Sequence, residues 1–140
     1  AEGTFNRAEF ASFEQLGFFT RERIFSPGEL AELQEAAERI HRRVLEADEH
    51  GEGGPVDRVD NQRYQPLCGS TVKWEWSESL RAVRSMEPAH HLDPRLSALI
   101  DDPRLWEPCR ALVGSQELSL FSDTRSRRTG CTAPSRSSGS

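Results

Sequence analysis

Two Asp-Pro pairs, Asp93-Pro94 and Asp102-Pro103, constrain this chain more than any other feature. They lie in one stretch, LDPRLSALIDDPRLWEPCRALVGSQELSLFSD, from Leu92 to Asp123. Each Asp reads as an N-cap, and each Pro as a first helical residue whose missing N–H costs nothing. Leu96, Leu99 and Ile100 give the first short helix an apolar stripe. Leu105, Trp106, Cys109, Leu112 and Val113 do the same for the second. Gly114 supplies a left-handed C-cap, and Glu117-Leu118-Ser119-Leu120-Phe121 alternates like a strand. The stretch is expected to be a helical ramp delivering the chain into β-structure, with no further β-structure after Asp123.

The core behind this ramp must come from a limited stock. Of 140 residues 35% are hydrophobic and 29% charged, an apolar share below that of most globular domains, though the length suffices for one core. The net charge of −5 is spread along the chain without a basic stripe, which argues against a nucleic-acid partner. No apolar run approaches the roughly 20 residues that cross a bilayer, so no membrane partner is expected. The opening AEGTFNRAEF lacks both a signal pattern and an initiator Met, and reads as processed or as a fragment. Cys68, Cys109 and Cys131 have neither metal nor redox spacing. Cys109 is expected to be a small buried hydrophobe, and a reducing, cytoplasmic setting fits best.

Phe5 to Leu16 is weakly helical, with Phe10, Phe13 and Leu16 in register and Gly17 ending it. Phe18-Phe19-Thr20 and Ile24-Phe25 read as extended. The clearest helix follows: Ser26 caps it, Pro27 suits its first turn, and Glu29 completes a capping box. Leu30, Leu33, Ala37, Ile40, Val44 and Ala47 share one face of it, so it is amphipathic and lies on something apolar. HGEGGP (residues 50–55) is a loop. Val59 to Tyr64 and Thr71 to Trp76 are expected strands, the latter alternating Val72, Trp74 and Trp76 with Thr71, Lys73 and Glu75. Ser77 reads as the cap of a helix carrying Leu80, Val83 and Met86.

Four passages in this order resemble a known family: FEQLGFFTRERIFSPGELAELQEAAERI, VDNQRYQPLCGSTVKWEW, LDPRLSALIDDPRLWEPCRALVG and ELSLFSD. Together, from about Phe13 to Asp123, the chain resembles the N-terminal part of a phytanoyl-CoA dioxygenase family protein. The resemblance implies an α+β arrangement, the N-terminal helices and first strands of a double-stranded β-helix (a jelly-roll, cupin-like barrel). It also implies an Fe(II)/2-oxoglutarate dioxygenase that hydroxylates a small organic substrate, with iron held by two histidines and a carboxylate on one triangular face. In the family a His-x-Asp motif follows the strand corresponding to ELSLFSD, and a second His comes much later. Here no histidine occurs after His91.

His91-Leu92-Asp93 has the form of that motif, but Asp93 is better explained as the cap before Pro94. His90 and His91 read as solvated loop residues, and Asp101-Asp102 as a helix-start pair favoured by the dipole rather than a catalytic pair. Lys73 is the residue singled out for function. In enzymes of the resembling family a lysine on the strand before the helical insert can reach the 2-oxoglutarate carboxylate. Alternatively, Lys73 is a solvent-facing lysine on an edge strand. Leu118 and Leu120 are candidates to line the same pocket, or ordinary core residues.

From Thr124 the composition changes to TRSRRTGCTAPSRSSGS. Residues 1–123 are read as the dioxygenase-like part and 124–140 as a disordered Ser/Arg-rich tail. The tail's Arg, Ser, Gly, Thr, Pro and stray Cys match out-of-frame translation of GC-rich DNA, though a natural short isoform or a pseudogene product would look the same; in function it reads as inert or as a basic phosphorylated or RNA-contacting arm. The expected protein is a truncated oxygenase, marginally folded, without its metal triad and without bound Fe(II) or 2-oxoglutarate, prone to self-association through exposed apolar surface. The alternative is a non-enzymatic interaction domain that uses the helix from Pro27 to Ala47.

Overall fold

A computed structural model of the chain describes residues 5–75 and 79–126. The first two helices begin as their caps dictate. In α1 (Arg7–Leu16) Asn6 and Glu9 form a capping box, and Gly17 closes the helix in the left-handed conformation. In α2 (Pro27–Glu49) Ser26 and Glu29 form another. Phe18-Phe19-Thr20 and Ile24-Phe25 join no strand between them. Instead Phe19 packs on Phe5 with ring centroids 5.4 Å apart.

A five-stranded antiparallel sheet follows, its strands adjacent in chain order: β1 (Asp57–Val59), β2 (Gln62–Leu67), β3 (Ser70–Trp74), β4 (Val83–Glu87) and β5 (Arg125–Ser126). The expected strand from Val59 to Tyr64 is in fact a hairpin. Asp60 and Asn61 take positive φ, 48° and 62°, the conformation a two-residue turn requires and one that Asp and Asn tolerate.

The expected helix after Ser77 is also corrected. Val83 and Met86 belong to β4, while Trp76 and Ser77 lie outside the described residues. A bulge explains the misleading spacing of three. Lys73 pairs with Ser85 and Trp74 with Val83, so Arg84 has no opposite number. The extra residue puts Val83 and Met86 on the same face, both fully buried.

That face is the core. Ile40, Val44 and Ala47 of α2 pack against Leu67, Val72, Trp74, Val83 and Met86, with Ala89 and Leu92 closing one end. Strand β3 is interior, flanked by β2 and β4, so Thr71 to Trp74 has no open edge. Trp74 keeps its partners, its indole N–H donating to Gln65 Oε1 at 3.0 Å. The opposite face carries a polar row of Tyr64, Lys73 and Ser85.

The ramp forms as its caps predict. A single 3-10 turn (His90–Leu92) leads into α3 (Pro94–Ile100), capped by Asp93, and α4 (Pro103–Val113), capped by Asp102 and closed by left-handed Gly114. Beyond it, residues 117–121 are not a strand. The edge of β4 is taken by Arg125–Ser126 instead, so β-structure does follow Asp123. Ser115 turns the chain back on itself, accepting from Glu117 N and donating to Glu117 O. Phe121 is fully exposed.

Candidate functional site

The helical ramp and the segment after it enclose a half-open cavity of about 700 Å³, within the size range of small-molecule sites. The caps that start α3 and α4 also fix its walls. Asp93 accepts from Arg95 N at 2.9 Å and pairs with Arg39 of α2 at 2.8 Å. The Arg39 guanidinium, with Arg95 N helping against burial, holds the Asp93 carboxyl below the ordinary value. Asp102 does the same at the start of α4, held low chiefly by Arg104.

Leu96, Leu99 and Ile100 of α3 form the apolar base. Trp106 stands at the corner between the helices, its indole N–H donating to Asp101 O at 2.9 Å. One helical turn on, the Arg110 guanidinium lies 3.9 Å from the Trp106 ring centroid, the reach that i,i+4 spacing gives. Cys109, expected to be buried, is exposed beside them and lines the cavity. A stripe on an eleven-residue helix with one covered side cannot bury every member.

The opposite wall is the irregular segment bearing Leu118 and Leu120, both of which line the cavity. It is held by Asp123, which accepts from Ala89 N and His90 N at 2.8 Å and from His90 Nδ1 at 2.6 Å. Burial pushes the Asp123 carboxyl up, but the hydrogen bonds from the His90 ring and the two amides outweigh it and hold the group low. His90 is therefore a clamp rather than a solvated loop residue. His91 donates from Nε2 to Cys68 O at 2.9 Å.

Lys73 does not share this cavity. It sits half-buried on the polar face of the sheet, Nζ 5.4 Å from the Tyr64 ring centroid. The structure thus brings Leu118 and Leu120 together and leaves Lys73 on the other side of the sheet. Sequence reading missed Arg110 and the Asp123–His90 clamp. The i,i+4 pair Trp106–Arg110 was visible in the sequence, whereas residues 33 apart in the chain leave no local signal.

The described residues do not offer the iron site that the resemblance implies. Among the described residues no group of three or more His, Cys, Asp or Glu is placed to hold a metal ion. Asp93 is engaged by Arg39 and Arg95 N, and Asp123 by three donors. No described helix is long and apolar enough to cross a membrane. No family model, curated protein or solved structure matches the chain.

Proposed function

We propose that the chain is the entry part of an Fe(II)/2-oxoglutarate-type oxygenase domain, without a metal centre of its own and without turnover. The observation that carries this reading is an antiparallel sheet whose strands β1 to β4 follow in chain order, with the helical ramp coming directly after β4. Helix α2 covers one face of this open sheet, and the other face presents the polar row containing Lys73. A jelly-roll barrel needs such a start, and the polar face would become its interior. In that setting Lys73 supplies a positive charge toward a cosubstrate carboxylate.

Anaerobic titration of the chain with Fe(II) and 2-oxoglutarate tests the reading. The expected result is no visible charge-transfer absorption. A saturable band reports an intact metal–cosubstrate chelate and refutes the absence of a metal centre.

A second reading, a non-enzymatic interaction domain, is favoured by one observation. Val113, Leu120 and Phe121 expose 68%, 51% and 101% of their surface on neighbouring segments, the kind of patch that marks an interface or an aggregation site. Sedimentation separates the two readings: a discrete dimer or heterocomplex supports an interaction domain, and heterogeneous aggregates support an incomplete barrel.

A further inference from the structure

We propose that the cavity between α3, α4 and the Leu118–Leu120 wall binds a small monocarboxylate with an alkyl or aryl body, its carboxylate received by Arg110. This does not rest on the oxygenase reading. The body is specified by the lining, in which Leu96, Leu99, Leu118 and Leu120 surround the space. Removing an apolar chain from water into such walls is the main source of affinity.

The charge is specified by Arg110. Arg21, Arg39, Arg81 and Arg104 each have a carboxylate oxygen at 3.0 Å or less. Arg110 has none among the described residues; its contact is the face of Trp106. Stacking on the ring gives a modest attraction and leaves the N–H edge of the guanidinium unused.

The two carboxylates that also line the cavity do not meet this need. Asp123 is engaged by the His90 clamp, and Asp101 is exposed at the rim with its carbonyl on Trp106. A ligand carboxylate supplies the missing counter-charge, and the terminal N–H groups of the guanidinium can bind it through two parallel bonds.

Octanoate and 1-octanol, titrated separately into the full chain, test this through the Trp106 Nε1–H nuclear magnetic resonance signal, assigned by its loss in Trp106→Phe. Octanoate is expected to shift the signal saturably, and 1-octanol to bind about tenfold more weakly or worse, the difference a charge-assisted hydrogen bond makes. In Arg110→Gln the preference for octanoate should vanish while the response to octanol remains. Equal affinity for the two probes, a preference that survives Arg110→Gln, or no saturable shift with octanoate overturns the proposal. The comparison of the probes on the unsubstituted chain decides the matter even if the variant does not fold.

Discussion

Glu29 and Arg104, 75 residues apart in the chain, meet at 2.8 Å. Glu29 is the capping-box residue of α2, and Arg104 lies in the first turn of α4. The guanidinium also donates to Asp102 at 2.6 Å and to Ile24 O at 2.9 Å, and stacks on Phe25 at 4.6 Å. Arg21 extends the network, pairing with Glu9 of α1 at 2.7 Å and donating to Arg104 O at 3.3 Å. The helices outside the sheet are thus joined largely by charge, since α1 buries no residue and Phe10, Phe13 and Leu16 remain exposed.

This joint is acid-labile. Hydrogen bonds from Arg104 hold the Glu29 carboxyl down from its ordinary value of 4.5 to about 2, and Arg21 lowers Glu9 in the same direction. A carboxyl lowered by folding contributes stability above its unfolded value and loses it as pH falls through the folded value. Stability to urea should therefore decline between pH 4.5 and about 2. Glu29→Gln should lower stability at neutral pH and flatten that decline. An unchanged slope in the variant contradicts the assignment.

Gly53 lies where the HGEGGP loop crosses β2. A Cβ there would overlap Gln65 Nε2, yet Gln65 is buried, donating to Gly54 O at 3.0 Å and accepting from Trp74. Gly53→Ala should cost about 1–3 kcal/mol, the scale of a buried polar group left unpaired. Chemical denaturation measures it, and a neutral substitution would show that Gln65 does not link the loop to the core.

Met86 is fully buried, whereas Phe121 is fully exposed. Met86→Ala should destabilise by about 2–5 kcal/mol. Phe121→Ser should change stability by no more than about 0.5 kcal/mol and reduce self-association. A large loss for Phe121→Ser would mean that the 117–121 segment packs on the core.

Arg84 is the bulged residue of β4. Deleting it should leave Val83 and Met86 facing the core, because Trp74 and Val83 then follow the Lys73–Ser85 pair in regular order. Deleting Lys73 should instead turn Trp74 outward and abolish the cooperative melt. Thermal denaturation of the two deletions distinguishes them, and equal tolerance would contradict the register.

The helix starts were legible because cap chemistry is contained within a few residues: Ser26-Pro27 with Glu29, Asp93-Pro94, Asp102-Pro103. Gly17 and Gly114 marked helix ends for the same reason. The sheet was less legible. The bulge at Arg84 gave Val83 and Met86 a helical spacing, Asp60-Asn61 concealed a turn inside an apparent strand, and Leu118 to Phe121 alternates without an edge to pair with. Of the candidate site, Leu118 and Leu120 were visible. Their cavity depends on Asp123 reaching His90 and on Arg110 stacking on Trp106, and the first of these is long-range.

The reading of the chain as the start of an iron oxygenase is tested most directly in its coding DNA. The nucleotide sequence downstream of the Phe121-Ser122-Asp123 codons should contain, in a shifted frame, a His-x-Asp soon after them and a distal His followed by an Arg. If no frame encodes these residues, the oxygenase reading is contradicted.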